Sequence, residues 1–136
     1  MFERVYTMTD YYDGPRGGIA DFEGHPHAYA SLFNEDIGNF DETFLLMPID
    51  EELFRLALED WAIWLRWEDA YHAGKTPLDT HPALSEERAR HEELKRLIGD
   101  RLTPTAHASR KAKGEFRTTN ANDGCSLDVR WTPLAE

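Results

Sequence analysis

The sequence predicts an α+β protein in which an antiparallel β-sheet, with curling toward a barrel as one option, packs against one long and one shorter α-helix. Short strand-like segments come first, a long amphipathic segment at residues 50–74 follows, and a second helical segment comes next. Two further short segments near the end predict a C-terminal β-hairpin. Because the strands precede the helices instead of alternating with them, this class is favoured over a βαβ arrangement.

Runs of β-branched and aromatic residues between turn residues predict the strands. In the N-terminal half these runs are residues 4–8, 19–22, 25–33 and 43–49. Glu23 and Gly24 join the second and third runs as a hairpin. The acidic stretch 34–42 is predicted to be a solvated loop, because its glycine and final glutamate do not match the spacing of a calcium-binding EF-hand.

The long helix is predicted to be the central element. Asp50 can cap its start, and Gly74 can supply the left-handed residue at its end. Leucines, tryptophans and other apolar residues cover well over half of its circumference when residues are placed about 100° apart. The sequence therefore predicts that Trp61, Trp64 and Trp67 are covered by other elements.

Four residues at steps of four form a ridge inside the apolar arc: Asp60, Trp64, Glu68 and His72. A buried carboxylate is costly unless it is paired, so one interpretation is structural, with an arginine or backbone N–H groups of the sheet meeting Asp60 and Glu68. The other interpretation makes the ridge the floor of a binding pocket. Both stay open at the level of sequence.

The C-terminal third has a different composition. A second helix is predicted over residues 85–102, where the predicted single α+β domain of residues 1–102 ends. Small, polar and basic residues over 103–115 predict a flexible linker. Residues 116–136 are predicted to form a hairpin that returns to the sheet or contacts a second chain, because Leu127, Val129 and Trp131 alternate with polar residues.

The chain of 136 residues has a net charge of −11, which is unevenly distributed. Residues 1–102 hold ten basic and 22 acidic residues, giving −12, and residues 103–136 hold five and four, giving +1. This field disfavours nucleic acid and anionic membranes as partners and speeds encounter with a basic protein.

A single cysteine, Cys125, cannot form an internal disulfide, which favours a reducing compartment. No signal segment is recognisable at the start, and no apolar run is long enough to span a bilayer. A soluble, cytoplasmic protein is therefore expected.

Two stretches offer further binding candidates. The loop at residues 9–18 gathers side chains suited to a binding edge, with Asp10, Tyr12, Asp13 and Arg16 as its candidates. His25 and His27 would share one face of a strand and could begin a divalent-metal site, but such a site needs further ligands. No cofactor is otherwise expected.

Residues 5–29, VYTMTDYYDGPRGGIADFEGHPHAY, and residues 44–84, which contain the long helix, carry a resemblance. They resemble small acidic bacterial proteins of uncharacterised function, over roughly the first hundred residues. The resemblance implies no activity and no site residue.

Two functions follow as hypotheses. The first is a non-catalytic acidic interaction module that binds a basic protein, with self-association through residues 116–136 as a further option. The second is a small-molecule or metal-binding protein, including a hydrolase, that uses Asp60, Glu68 and His72 or the pair His25 and His27. Whether the protein is an enzyme stays open.

Overall fold

A computed structural model describes residues 1–9, 16–34, 36, 38–119 and 126–134. It divides into two compact units. The barrel unit comprises Met1–Asp50 and Arg101–Glu136, and the helical unit comprises Glu51–Asp100. The predicted domain boundary at residue 102 does not coincide with the division into these two units, because the chain returns to the barrel unit at Arg101.

The barrel unit contains a closed antiparallel barrel in which the strands follow one another in chain order. The strands are β1 (Glu3–Thr9), β2 (Gly17–Phe22), β3 (His25–Asn34), β4 (Asn39–Pro48), β5 (Arg110–Thr118) and β6 (Leu127–Pro133). Pairing of β1 with β6, through Glu3↔Val129 and Arg4↔Asp128, closes the barrel. The α+β class is thus confirmed, and the sheet takes the barrel form. The predicted packing of the helices on the sheet stays a prediction.

Aromatic rings fill the interior of the barrel. The rings of Tyr29, Phe44, Phe116 and Trp131 lie with centroids 5.4–6.0 Å apart. The two rings that carry a polar group both have a hydrogen-bond partner. The Tyr29 hydroxyl donates to the Thr7 carbonyl, and Trp131 Nε1 donates to the Asp21 carbonyl. Gly114 makes room for these rings, since a Cβ there would lie 2.7 Å from the Trp131 ring. A dense apolar core of this kind holds the barrel together.

A tight turn joins β2 and β3 as the sequence predicts. Glu23 and Gly24 both have positive φ, 54° and 79°, which is the backbone of the two-residue hairpin turns that match the twist of paired strands. The Glu3 carboxylate accepts hydrogen bonds from both turn amides, at 3.3 Å from Glu23 N and 2.9 Å from Gly24 N. The first strand therefore helps to fix this turn.

The helical unit begins with α1 (Glu51–His72), which confirms one unbroken long helix. Trp67 is only 3% exposed, and Trp61 and Trp64 are partly buried and stacked on each other. Gly74, at φ 73°, ends the helix, with Gly74 N donating to the Tyr71 carbonyl and Lys75 N to the Ala70 carbonyl. These two bonds satisfy two of the last carbonyls of the helix, in the way typical of a glycine-terminated helix.

The second helix is shorter than predicted. A 3₁₀ turn at Ser85–Glu87 leads into α2 (Arg88–Ile98). Gly99, at φ 53°, follows the last helical residue and donates its N–H to the Lys95 carbonyl. A glycine with positive φ ends the helix there, before the predicted end at residue 102.

Two predictions of irregular structure are wrong in part. Residues 110–115 of the predicted linker 103–115 form the first part of β5. The inward positions of this segment hold Ala112 and Gly114, which are too small to give the alternating apolar pattern of a strand. In the predicted loop 34–42, residues 39–42 belong to β4, where the backbones of Phe33 and Phe40 pair.

Within the described residues, no helix combines the length and apolar character that crossing a membrane would require.

Candidate functional site

The ridge residue Asp60 pairs with a histidine of the second helix. His91 Nδ1 lies 2.6 Å from Asp60 Oδ1, and the two side chains are 13% and 29% exposed. The structural interpretation expected an arginine or backbone N–H groups of the sheet at this position. The partner is instead an imidazole, which can donate through Nδ1 while Nε2 stays available as an acceptor.

Two arginine pairs flank this contact and also join different elements of the helical unit. Arg90 of α2 binds the Glu59 carboxylate through two nitrogens, at 2.6 and 2.7 Å, and it also contacts Glu93. Arg66 of α1 binds Glu87 in the same bidentate manner. Hydrogen bonds from these guanidinium groups hold the pKa values of Glu59 and Glu87 below their usual range. Asp60 and His91 therefore lie within a set of cross-helix pairs.

The other ridge residues do not join Asp60 in one hydrogen-bonded row. Glu68 Oε2 is buried and accepts no hydrogen bond from the described residues. Trp64 stacks on Trp61, and the exposed His72 lies edge-on to the Tyr71 ring with centroids 5.4 Å apart. The structure thus brings Asp60 together with His91 and leaves Glu68 as a separate, partly buried carboxylate with one buried oxygen.

A hydroxyl network secures the loop after α1. Trp67 Nε1 donates to Thr80 Oγ1 at 2.8 Å, and Thr80 Oγ1 donates to the Pro77 carbonyl at 2.6 Å. The Thr76 hydroxyl lies 2.5 Å from the same Thr80 oxygen. Arg88 donates to the carbonyls of Thr80 and Ala83. This network has a structural role, because each contact satisfies a polar group of the loop or of the buried tryptophan.

A second carboxylate of unusual environment lies on the barrel. The Tyr6 hydroxyl donates to Asp21 Oδ2 at 3.0 Å, whereas Asp21 Oδ1 is buried and accepts no hydrogen bond from the described residues. Burial raises the pKa of Asp21, and the negative charge of Glu3 adds to this effect. The pKa of Tyr6 is raised by burial and by its hydrogen bond to Asp21. This pair joins β1 to β2.

The positive groups near this pair do not neutralise the carboxylate by direct contact. The Arg4 guanidinium lies over the Tyr6 ring, 4.8 Å from its centroid. Arg4 and His25 lower the pKa of Asp21 only through longer-range electrostatic interactions, which rank below burial. Asp21 is therefore a partly buried carboxylate with one hydroxyl donor and no ion pair among the described residues.

The predicted metal ligands His25 and His27 have other neighbours. His27 Nδ1 donates to the His25 carbonyl at 2.8 Å, and its ring lies edge-on to Phe22. No group of three histidine, cysteine, aspartate or glutamate side chains suited to a metal ion is present among the described residues. The two histidines thus have no further ligand in that part of the chain.

Of the predicted loop candidates, Asp10, Tyr12 and Asp13 lie outside the described residues, as does Cys125. Arg16 is described, and its carbonyl accepts a hydrogen bond from Ser31 N at 2.7 Å.

The sequence did not point to two residues that contact the candidate carboxylates, Tyr6 beside Asp21 and His91 beside Asp60. No local signal marks either one, because both contacts depend on strand register or on helix pairing.

Comparisons of the chain with protein-family models, with curated proteins and with solved structures find no match. The resemblance of residues 5–29 and 44–84 to small acidic bacterial proteins therefore stays an expectation from the sequence.

Proposed function

We propose that the protein is a non-catalytic interaction module whose acidic surface binds a basic protein partner. One observation supports this most directly. The helical unit, described throughout, exposes six acidic side chains that form no ion pair among the described residues. They are Glu51, Asp69, Asp79, Glu86, Glu92 and Asp100.

The electrostatics of the whole chain support the same proposal. The net charge is −11, and several arginines, such as Arg66 and Arg90, are already paired with carboxylates of the same unit. Surface charge of one sign attracts a partner of opposite sign over roughly a Debye length, about 8–10 Å at physiological salt. The negative surplus thus favours encounter with a basic protein.

A charge-neutralising variant tests the proposal. The fourfold variant Asp69→Asn, Asp79→Asn, Glu86→Gln and Glu92→Gln removes four exposed charges that have no ion pair to break. A partner isolated with the native protein from lysate at low salt, then purified, is expected to bind this variant about tenfold more weakly, equivalent to ~1.4 kcal/mol. Isothermal titration calorimetry at two salt concentrations measures the effect, and high salt should weaken native binding.

The same unit offers a matched control. Arg55, Lys75, Lys95 and Arg96 are exposed and form no ion pair among the described residues. Changing these four to glutamine alters the same number of charges with the opposite sign, and binding is expected to be kept or strengthened. Equal loss of binding in both variants, or binding that salt leaves unchanged, would contradict the proposal.

Self-association through residues 116–136 is part of the same proposal. Since residues 116–136 contain β6 and the last three residues of β5, truncation would remove part of the barrel. Outward side chains such as Arg130 are better targets. If the proposal holds, sedimentation of the native protein shows a larger species that grows with concentration, and Arg130→Gln shifts it toward the monomer.

We propose as a second candidate a small-molecule or metal-binding protein, including a hydrolase, because of the contact between Asp60 and His91. A carboxylate that holds imidazole Nδ1–H leaves Nε2 able to take a proton from an attacking group. Hydrolysis of p-nitrophenyl esters above the buffer rate, lost in His91→Gln and reduced in Asp60→Asn, would support it. A native rate equal to that of His91→Gln would exclude this use of the histidine.

The metal-binding form of this candidate function is tested separately. Elemental analysis of the purified protein shows whether a metal is bound, with His25 and His27 as the predicted ligands.

A further inference from the structure

We propose that the outer face of β5 is a docking site for a second copy of this chain, which enters it with residues 76–87. Lys111 and Lys113, called the β5 patch below, form the basic side of the contact. Asp79 and Glu86 of residues 76–87, called the acidic loop below, form the acidic side. The inference rests on the proposed function in one respect, because it uses the acidic surface of the helical unit as an interaction surface.

The basic groups of the β5 patch are accessible and have no carboxylate partner. Lys111 and Lys113 are both exposed, and neither forms an ion pair among the described residues. Ala112 and Gly114 are buried, so the two lysine side chains leave the opposite, outer face of the strand, roughly 7 Å apart. Both ammonium groups can therefore meet carboxylates of a docked molecule.

The residues directly opposite the two lysines carry no charge. Lys113 pairs with Thr43 of β4 and with Thr132 of β6, and Lys111 pairs with Leu45 of β4. Side chains directly opposite each other on paired strands are near neighbours on one face of the sheet. The β5 patch is therefore locally positive, although the whole chain carries a net charge of −11.

The arginines of the same outer face are already paired, unlike the lysines. Arg117 lies 3.4 Å from Asp128, and Arg130 contacts Glu115. Both contacts join β5 to β6 within the barrel unit. The β5 patch is thus the part of this face whose positive charge is left for a partner.

The acidic loop offers groups that match the β5 patch. Asp79 and Glu86 are exposed and form no ion pair among the described residues. Residues 76–87 contain no lysine or arginine, so no basic group of this segment opposes the contact. Leu78 is 63% exposed beside Asp79, and its burial on docking would add an apolar contribution to the charge pairs. The two surfaces are complementary in charge.

Hydrogen bonds hold the acidic loop in one shape before it docks. Trp67 Nε1 donates to Thr80 Oγ1, which donates to the Pro77 carbonyl. Arg88 donates to the carbonyls of Thr80 and Ala83. A segment that is already ordered loses less conformational entropy on binding. The free energy of the charge pairs is therefore not spent on ordering the loop.

The net charge of the chain sets the salt dependence of this contact. Two copies of net charge −11 repel each other at long range. At a salt concentration of about 0.15 M the Debye length is about 8 Å, so distant charges are screened more than charges in contact. Association should therefore be stronger at about 0.15 M than at about 0.01 M, where the Debye length is about 30 Å, and should weaken again near 1 M.

Charge reversal on the full chain tests the docking site. Because the two surfaces differ, each copy can use both, and association continues beyond a pair. Sedimentation velocity of the native protein should show larger species that grow with concentration. The double variants Lys111→Glu with Lys113→Glu, and Asp79→Lys with Glu86→Lys, should each associate at least about tenfold more weakly. Mixing the two variants restores opposite charges at every contact, so the mixture should associate again.

A matched control separates the docking site from a general effect of charge. Arg55→Glu with Lys95→Glu changes the net charge by the same amount as the lysine variant, at two exposed residues of the helical unit without an ion pair among the described residues. This variant should associate as the native protein does. Circular dichroism should show an unchanged fold in all three variants, because every altered side chain is exposed.

Three outcomes would overturn the inference. They are a native protein that stays monomeric at every concentration and salt, a lysine variant that associates as strongly as the native protein, and a mixture of the two variants that does not associate. A short, fluorescently labelled single-stranded DNA is the probe for a different occupant. If it binds the native protein and not the lysine variant, while the native protein stays monomeric, the β5 patch binds polyanions and not a second copy.

Failure of this inference can be separated from failure of the proposed function. If the native protein stays monomeric while the purified basic partner loses affinity for the fourfold acidic variant, the proposed function stands and the docking site is refuted. If mixing the charge-reversed variants restores association while the fourfold variant and the native protein bind the purified partner equally, the docking site stands without that partner.

Discussion

The two units of the molecule place their carboxylates in opposite environments. In the barrel unit Asp21 is partly buried with one hydroxyl donor, and burial raises its pKa. In the helical unit Glu59 and Glu87 are bound by bidentate arginines, and their pKa values are lowered. The comparison teaches that an ionised acidic residue can lower or raise the stability of the folded state, according to the hydrogen-bond donors that surround its carboxylate. This holds even in a chain where acidic residues are abundant.

Tryptophan side chains also have different structural roles in the two units. Trp131 lies inside the barrel among three other aromatic rings, and its N–H binds a backbone carbonyl of β2. Trp67 stacks on Tyr71, with the two rings 6° from parallel, and its N–H binds the Thr80 hydroxyl of a loop. The barrel tryptophan joins strands, and the helical-unit tryptophan anchors a connection.

The largest effect is expected in the barrel core. Trp131→Ala removes the ring that contacts Tyr29, Phe44 and Phe116 and leaves a cavity, at a cost of about 3–5 kcal/mol in the free energy of unfolding. Urea denaturation, with hydrogen exchange of strand amides to locate the loss, measures it. Thr132→Ala, at the neighbouring exposed position, should change stability little. If Trp131→Ala lowered the free energy of unfolding no more than Thr132→Ala does, the stability of the barrel would not depend on this ring.

A smaller effect is expected in the helical unit. Thr80→Val leaves the Trp67 N–H, in a residue only 3% exposed, without its acceptor, which should cost about 1–3 kcal/mol. Thr76→Val is the matched control, because it removes a hydroxyl that contacts Thr80 but leaves the acceptor of Trp67 in place. Thermal unfolding followed by far-ultraviolet circular dichroism compares the two. Equal destabilisation would mean that the tryptophan bond contributes nothing of its own.

The smallest effects are expected in the pH dependence of stability, where the two units should differ in sign. The folded-state pKa of Asp21 lies above its unfolded value of about 3.9, so its contribution is present below that pH and is lost as pH rises through the folded pKa. Asp21→Asn should therefore stabilise the protein at pH 7 by a few tenths to about 1 kcal/mol and lose this advantage near pH 3.

The opposite holds for Glu87. Its folded-state pKa lies below its unfolded value of about 4.3, so its contribution is present above that pH and is lost as pH falls through the folded pKa. Glu87→Gln should destabilise the protein at pH 7 by at most about 1 kcal/mol, because the pair is partly solvent-exposed. Urea denaturation of both variants from pH 3 to 8 tests the comparison, and parallel pH profiles would contradict it.

Local patterns predicted the elements that carry their own signal. The long helix, its glycine-terminated end and the Glu23–Gly24 hairpin follow from apolar periodicity and turn chemistry, and the structure confirms all three. The first half of β5 could not be predicted in this way. Its inward residue Gly114 must be small because the Trp131 and Phe44 rings of other strands occupy the space beside it, and the sequence of the segment itself gives no sign of these rings.

The candidate sites show the same limit. The ridge on the long helix marked Asp60 as unusual, but the identity of its partner required the pairing of α1 with α2. Asp21 could be named as an acid beside a predicted hairpin, whereas its contact with Tyr6 depends on the irregular register between Val5 and Thr7 of β1 and their partners in β2.

By itself, the sequence determined the charge of the protein, the class of its fold and the places where most helices and strands begin and end. These properties depend on composition and on contacts between near neighbours along the chain. Only the tertiary structure decided that the sheet closes into a barrel and that Asp21 is partly buried without an ion pair among the described residues, while carboxylates such as Glu87 are paired. Both outcomes depend on residues far apart in sequence, because burial and pairing are set by whichever elements are brought together on folding.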